Sequence, residues 1–549
     1  MKNNIRNGLF MLVAGTLALS CAEYNVTDDF TADPDPSFVE PYKDLAPVKT
    51  YIDRSKYPNM TIGATLKVTD FNKQELAHAA AITNFDNLAF GTTLMSGAII
   101  NNKGVMNFLD MMDLLDHVEE IGGDVFGSPI AANANQADGW LNLLTAPIEV
   151  PVDFVEGKSV DFSKMTTFDG TIEKGKAAIV SYDGQNALQI GTTSNVHIIE
   201  GFEVDPLATY TTTFWAKADK DASFNVNFSG NKIDGNGTSG KWTFKSGKWT
   251  KIVVEGKVAE GVTEGYLRID NALAGAIYIS KVEVGYYPDN HRQQTAEEKK
   301  DTINYALNAW CDGLMKINEG RIKSFDLIDE AIDVKAELDN GMFDLKHSDE
   351  KIFWQDVLGC DNYAPAVADA ARRAYENHGG NSSELKFFIS ESGLENTKKM
   401  ESLIYWINIW DANGAKIDGI NAKLNLTYSE DEAKQNANRA LLDKLLEELA
   451  STGKLIRLSN FHIKYQDTSG ASVTANDNTA EQRQKLADYY GYVIRSYMTK
   501  IPHDKQAGIC KGNLADTTDP VGLWSVDNKS KDWVRTATYK AFCDALSGK

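Results

Sequence analysis

Apolar runs of strand length alternate with helical patterns along most of the chain. Eight runs have the composition of buried strands, and they lie at residues 60–66, 84–91, 123–130, 324–332, 385–392, 416–426, 454–463 and 505–512. The stretches between them are amphipathic with a helical period, as in 437–454, where five leucines recur at helical spacing. Regular alternation of strands and helices is typical of a parallel α/β fold, and eight repeats predict a closed (β/α)8 TIM barrel.

Residues 151–288 follow a different pattern. Short segments of alternating polarity are separated by Asp-Gly, Asn-Gly and Ser-Gly turns, and no helical period appears. We therefore predict an all-β sandwich or jelly-roll module that interrupts the barrel after its third strand. The barrel would then consist of two parts, 55–150 and 289–549. Such an insertion is feasible because lengthening a loop costs little entropy.

The N-terminus has the pattern of an export signal. Lys2 and Arg6 form a positive region, an apolar run follows from Leu9 to Leu19, and Ser20 precedes Cys21. This pattern predicts a bacterial lipoprotein signal peptide, residues 1–20, with Cys21 as the lipidated residue. The protein would be lipid-anchored in the outer membrane, facing the cell surface. A plain secretory signal is the alternative.

The signal is followed by residues 21–54, which begin with a stretch rich in Asp and Pro and are expected to form a flexible tether. No later apolar run is long enough to cross a bilayer.

Charge and cysteine content restrict the ligands that we expect. The formal net charge of −21 argues against nucleic acid as a partner, because binding to phosphates needs lysine and arginine. A neutral polysaccharide is compatible with an acidic surface. The remaining cysteines are not spaced as metal ligands; they are Cys311, Cys360, Cys510 and Cys543. We expect no cofactor and no structural zinc, and leave open a structural calcium in the inserted module.

Four barrel segments resemble motifs of glycoside hydrolase family 10, the endo-β-1,4-xylanases. FDLIDEAI (325–332) is similar to the family's strand-four motif Trp-Asp-Val-Val-Asn-Glu-Ala. KFFISES, KIDGI and STGKLIRLSNFHI resemble, in the same order, its strands five, six and seven. The resemblance covers roughly 55–150 and 290–549.

The inserted region resembles family 4-type carbohydrate-binding modules through TYTTTFWAKAD, SGKWTKIVVEG and GAIYISKVEVG. A module at this barrel position is similar to xylanases of gut Bacteroidetes.

The resemblance implies a site with two carboxyl groups, about 5–5.5 Å apart in retaining glycosidases. Glu330 occupies the acid/base position. Asn460 occupies the nucleophile position, where an amide cannot form the glycosyl ester intermediate. Asp329 replaces the family's sugar-binding Asn, and its charge is expected to raise a carboxyl pKa in the pair. On spacing alone, an equally good interpretation is that Asp329 and Glu330 are an acidic pair at the N-terminus of the following helix, where they would stabilise the helix dipole.

Other positions that the resemblance aligns with the family's sugar-binding residues are also replaced. They are Gly91–Met95, Ser128–Asn133, Asn425 and Lys511-Gly512. For stacking on sugar rings we expect Trp242 in the module and Trp354 and Trp524 on the barrel. Tyr266 and Tyr278 are further candidates, whereas Trp215, Trp249, Trp406 and Trp410 have the pattern of core residues.

These residues favour a non-catalytic protein that binds a xylan-like plant glycan, holding it for partner enzymes and an uptake complex. The first alternative is an active endo-1,4-β-xylanase or related endo-glycanase. It could act by inversion, with Glu330 as the acid and Glu391 activating water. The second alternative is a structural or adhesive surface protein that binds no oligosaccharide.

Overall fold

The computed structural model describes residues 42–235, 240–271, 275–527 and 531–549. The predicted signal peptide and Cys21 lie outside these residues. The chain divides into two compact units: the residues up to Leu141 together with Asn304–Lys549, and Asn142–Ile303.

The larger unit is built on eight parallel strands, one for each apolar run. They are β1 (Thr61–Thr65), β2 (Asn87–Ala89), β3 (Asp124–Phe126), β4 (Ser324–Asp329), β5 (Lys386–Ser392), β6 (Gly419–Ser429), β7 (Leu455–Gln466) and β8 (Gln506–Lys511). Their order in the sheet is β3-β2-β1-β8-β7-β6-β5-β4. These runs contain few polar residues because parallel strands are covered on both faces.

The sheet closes between β3 and β4. Gly127 pairs in parallel with Phe325, and its N–H donates to the carbonyl of Ser324 at 2.8 Å. Only glycine fits there, because a Cβ on Gly127 would lie 2.1 Å from the Phe325 ring. The two residues Ala131–Ala132 add a further short pairing to β4. The predicted (β/α)8 barrel is therefore confirmed.

Helices follow the barrel strands as the periodicity predicts. The α-helices of the described residues are Val68–Asn72, Leu76–Asn84, Ser96–Ile99, Leu109–Glu120, Asp138–Leu144, Ala296–Asn318, Trp354–Leu358, Tyr363–Asn377, Thr397–Ala412, Glu432–Ser451, Ala480–Lys500 and Ala537–Leu546. The leucine-rich stretch buries Leu442, Leu445, Leu446 and Leu449 and leaves Leu441 exposed, as one apolar helix face requires.

The smaller unit is an antiparallel β-sandwich. One sheet contains, in spatial order, Asn231–Ile233, Ala222–Phe228, Glu264–Asn271, Ser194–Glu203 and Ile172–Lys174, with Trp242–Phe244 beside Ala222–Phe228. The other contains Thr250–Gly256, Thr209–Ala218, Ile277–Tyr287, Gln185–Ile190 and Ala177–Tyr182, with Val155–Asp161 beside Ile277–Tyr287. Inward side chains of both sheets form one core, in which the Phe214 and Phe224 rings are 6.1 Å apart.

Part of the expected tether is packed rather than free. Val48 is fully buried and Ile52 nearly so. Arg535 donates to the carbonyls of Tyr42, Lys43 and Leu45, which fixes the start of this segment. The expectation of a flexible tether thus fails for residues 45–54, because their apolar side chains pack against the barrel unit.

A polar layer crosses the barrel interior. Asp326 of β4 is buried, and both of its carboxylate oxygens accept hydrogen bonds from the Asn421 amide, at 3.0 and 2.9 Å. Arg457 of β7, 1% exposed, lies over the Phe126 ring, 4.0 Å from its centroid. Burial, together with the charge of Asp329, raises the pKa of Asp326 to about 7.

This raised pKa predicts that Asp326 destabilises the fold as pH rises. Between about pH 4 and pH 7 the folded state keeps a proton that the unfolded chain has released, so the stability contribution of Asp326 falls across that window. In Asp326→Asn the position cannot ionise. Urea unfolding from pH 4 to pH 8 should therefore show wild type losing stability relative to Asp326→Asn, by up to roughly 4 kcal/mol. A difference that is independent of pH would contradict the raised pKa.

Candidate functional site: the mouth of the barrel

A cavity of about 380 Å³ opens at the carboxyl ends of the barrel strands. Its walls come from β1, from the segments after β2 and β3, and from β4, β6 and β7. They include Thr65, Thr92, Ser128, Asp329, Lys423 and Asn460. Active sites of (β/α)8 barrels are built at this end. Two of the segments that the sequence marked as replaced, Gly91–Met95 and Ser128–Asn133, therefore contribute to the cavity wall, together with Asn460.

Glu330 follows the last residue of β4 in a left-handed conformation, with φ of +52°. Its N–H donates to the carbonyl of Ser390 on β5 at 2.9 Å, and its own carbonyl accepts from Lys346 Nζ at 2.5 Å. The strand Ile332–Glu337 begins two residues later. Asp329 and Glu330 therefore do not begin a helix, and the helix-terminus interpretation of this pair is wrong.

Two lysines neutralise the carboxylates around Glu330. Lys423 of β6 pairs with Asp329 and lies 3.4 Å from Glu330. Lys399 pairs with Glu391 at 2.7 Å and lies 3.6 Å from Glu330. Lys399 also donates to the Ser392 carbonyl at 2.7 Å. Three carboxylates and two ammonium groups thus form one partly buried cluster, which we call the lysine–carboxylate cluster.

This cluster sets the protonation state of Glu330. Burial alone would raise the pKa of Glu330, but Lys423, a hydrogen bond from Ser392, and the charges of Lys399 and Lys346 outweigh it, and the net pKa is lowered. We expected the neighbouring Asp329 to raise a carboxyl pKa in the pair. For Glu330 the opposite holds, because Lys423 contacts both carboxylates. A general acid must carry a proton at working pH, whereas this carboxyl is held ionised.

Asn460 lies at an irregularity in β7. Its φ is +46°, and the pairing of β7 with β8 shifts register between Leu458 and Phe461. Asn tolerates this left-handed conformation better than most residues. The Asn460 amide donates to Asn425 Oδ1 at 3.0 Å. Two amides therefore stand where the family resemblance implies a nucleophile and its orienting histidine.

Glu391, the alternative water-activating base, is fully buried. One oxygen accepts the Ile332 N–H at 3.0 Å, and the other pairs with Lys399. Burial raises the pKa of Glu391 to about 7 in spite of Lys399. A carboxylate without access to solvent cannot deprotonate a bound water, so its role here is to anchor the loop that follows Glu330.

Most of the predicted sugar-stacking residues offer no free ring face. Trp354 is 2% exposed and Trp524 5% exposed. Trp242 packs against the core of the sandwich, and its Nε1 donates to the Ile233 carbonyl at 3.3 Å. The sequence placed these residues near turns, but turn position does not determine whether a ring packs inward. These placements differ from our expectation for all three residues.

An aromatic cluster on the sandwich was not predicted. The rings of Tyr182 and Tyr278 stack with centroids 3.5 Å apart, and Trp249 meets Tyr182 edge-on at 6.3 Å. Trp249 is half-buried and donates to Asp183 at 3.0 Å. Trp215 is also half-buried, with Lys251 and Lys281 over its ring. Neither tryptophan therefore belongs to the sandwich core, in contrast to the sequence expectation.

Two further findings concern the cysteines and the possibility of a membrane-spanning helix. Cys311, Cys360, Cys510 and Cys543 are free thiols. Across the described ranges, no helix combines the length and apolarity needed to cross a bilayer.

Comparison with known proteins finds a family model that matches part of the chain. Residues 287–531 match the family model described as Glycosyl hydrolase family 10. This match includes β4 to β8 and therefore Glu330, Lys423 and Asn460. No curated protein matches the chain.

Solved structures agree in fold. The endo-1,4-beta-xylanase of Penicillium canescens is similar at 11% identity, covering 92% of this chain and 98% of that one, with a TM-score of 0.50. Xylanase B of Clostridium stercorarium is 10% identical over 91% of this chain and 100% of that one, with a TM-score of 0.51. A mutant intracellular xylanase of Thermoanaerobacterium saccharolyticum, in complex with xylotetraose, is 12% identical over 91% and 98%, with a TM-score of 0.50.

At such identities the likeness shows the fold alone. The larger unit has the barrel fold of these xylanases, and residues 287–531 of the chain match the model of Glycosyl hydrolase family 10.

Proposed function

We propose that this protein binds a xylan-like plant polysaccharide at the cell surface and does not hydrolyse it. The observation that carries the proposal is the pairing of Glu330 with Lys423, on a barrel in which Asn460 stands at the nucleophile position. The ion pair opposes proton donation by Glu330, and the amide at position 460 cannot act as the nucleophile. Either change alone would prevent retaining hydrolysis.

The chemistry of the two positions supports this. A retaining mechanism needs a protonated acid at the leaving oxygen and an anionic nucleophile at the anomeric carbon. Glu330 has a lowered pKa because of the lysines around it, and Asn460 is neutral and bonded to Asn425. Moving Glu330 away from the lysines would still leave an amide at position 460, so a conformational change alone does not restore the reaction.

An inverting mechanism is the second candidate, and the structure disfavours its base. Glu391 is enclosed between the Ile332 N–H and Lys399 and is fully buried. An inverting base must hold a water on the face opposite the leaving group. The cavity wall nearest Glu330 instead presents Asp329, whose carboxylate is paired with Lys423.

The barrel mouth contains groups that can form hydrogen bonds with sugar hydroxyls. Thr92, Ser128 and Asn460 offer hydroxyl and amide groups to the cavity, and Phe90 and Met95 add apolar surface. Small sites of this kind orient a ligand by a few polar contacts on an apolar wall. The xylanase crystallised with xylotetraose has the same fold, which supports a xylo-oligosaccharide as the ligand class.

Localisation and partners complete the proposal. The Lys2 and Arg6 charges, the apolar run and Cys21 support lipid anchoring in the outer membrane. The sandwich, with its resemblance to family 4-type carbohydrate-binding modules, would add a second glycan contact. An anchored binder of this kind would pass the glycan to partner enzymes and an uptake complex.

Filling the mouth should weaken glycan binding. Thr92 and Thr93 are both exposed in the same short helix Gly91–Leu94, but only Thr92 lines the cavity. By calorimetry with xylohexaose, Thr92→Trp should raise Kd at least tenfold, because the indole occupies the cavity. Thr93→Trp is the matched control and should bind like wild type. Equal affinity in all three proteins would show that the barrel mouth is not the binding site.

Hydrolysis should be undetectable in wild type. Reducing sugar released from xylan should equal that released by Glu330→Gln, because Glu330 is not a proton donor. Asn460→Glu should also remain inactive, since the restored carboxylate does not remove Lys423 from Glu330. Binding of xylohexaose by the same preparations shows that they are folded. Release of reducing sugar by wild type that disappears in Glu330→Gln would overturn the proposal in favour of an active endo-glycanase.

A further inference from the structure

Three side chains with metal-ligand chemistry meet beside the loop that follows Glu330. Asp344 lies in the strand Phe343–Leu345, His347 lies three residues further on, and Cys360 begins the turn after the helix Trp354–Leu358. One ligand atom from each lies within 4.8 Å of the other two. This trio is separate from the mouth cavity, and neither the family match nor the proposed function assigns it a role.

We infer that Asp344, His347 and Cys360 form a zinc site. His347 Nε2 is 3.5 Å from Asp344 Oδ2 and 4.0 Å from Cys360 Sγ. Zinc bonds of about 2.0–2.3 Å in tetrahedral geometry place neighbouring ligand atoms roughly 3.3–3.7 Å apart. The observed separations therefore need only small side-chain shifts to enclose the ion. Solvent would supply the fourth ligand.

The orientation of His347 supports the site. Its Nδ1 is hydrogen-bonded to the carboxylate of Asp356, which can only accept when ionised. In the neutral imidazole Nδ1 therefore carries the proton, and the lone pair lies on Nε2, which faces Asp344 and Cys360. A carboxylate behind a histidine is the usual outer-shell partner of a zinc ligand, because it fixes the tautomer and the ring orientation.

The backbone around the trio is held in place without a metal. The Cys360 carbonyl accepts from Trp410 Nε1 at 2.8 Å, and Asp356 Oδ2 accepts the Ser348 N–H at 3.2 Å. The Cys360 backbone and the Asp356 side chain are thus held by contacts of the protein itself. Preorganisation of this kind lowers the cost of ordering ligands when the ion binds.

The ligand types select the metal class. Thiolate and imidazole together favour zinc over magnesium or calcium, which prefer oxygen ligands. The surroundings are also negatively charged, because the carboxylates of Asp344 and Asp356 both lie against His347. A divalent cation would offset those charges, and the thiol proton would pass to solvent on binding.

Zinc binding would also affect the segment that carries Glu330, because Lys346 links this segment to His347. Lys346, next to His347, donates from Nζ to the Glu330 carbonyl and from its N–H to the Ala331 carbonyl, at 2.5 and 2.8 Å. Zinc would tie this loop to Cys360 and so brace the segment that carries Glu330. The expectation of no structural zinc rested on cysteine spacing, which does not detect a site with a single cysteine.

The test uses the full chain, freed of metal with EDTA and then titrated with ZnCl2 or CoCl2. We expect one zinc per chain by metal analysis, and a Co²⁺ spectrum with thiolate-to-metal charge transfer. We also expect a higher Tm with zinc. Cys360→Ser should lose the charge-transfer band and most of the Tm shift, and His347→Gln should lose the Tm shift.

The matched control is His378→Gln, which removes another histidine paired with one carboxylate, Asp312, at 2.8 Å. It should bind zinc like wild type. Cobalt binding without charge transfer, or a zinc-induced Tm shift that is equal in wild type and Cys360→Ser, would overturn the assignment.

Discussion

The contact of Lys423 with Asp329 and Glu330 is the interaction on which the barrel mouth depends. Two adjacent carboxylates at the end of β4 would repel one another in a partly buried site. Lys423 compensates both, and Lys399 compensates Glu330 and Glu391 from the other side. Removing one partner of such a buried pair leaves an uncompensated charge and typically costs 3–5 kcal/mol, so the cluster is retained as a unit.

The compensation of charge at the mouth is separate from the contacts that hold the barrel together. The eight strands, their closure at Gly127 and the buried interior do not depend on a protonated Glu330. The mouth carries a paired carboxylate and lysine, Asp329 and Lys423, and a pair of amides, Asn460 and Asn425. Fold and site are separable in barrels, because the site is carried by the strand ends and the loops that follow them.

The sequence predicted the architecture well because its signals are local. Each barrel strand overlaps one of the apolar runs, although β6 and β7 extend three residues beyond theirs, and the change to alternating polarity after residue 151 marks the sandwich. Glu330 could be placed at the end of one apolar run and Asn460 within another for the same reason. The structure sets both at the mouth end of the barrel, while their functional roles stay predictions.

The sequence could not reveal contacts between distant residues. Lys423 meets Glu330 across 93 positions, and nothing in KIDGINAKLNL indicates that its lysine turns toward β4. Two further features could not be predicted from periodicity, because they depend on how loops pack. These are the burial of Trp354 and Trp524 and the contact of His347 with Cys360.

The most direct test of the account is the pKa of Glu330 itself. Carbon NMR of the protein labelled at glutamate carboxyls, with Glu330→Gln to assign the signal, gives this value by titration. The lysine–carboxylate cluster predicts a pKa below the ordinary glutamate value of about 4.3. A pKa of about 6 or higher, the range of a glycosidase acid, would contradict the account.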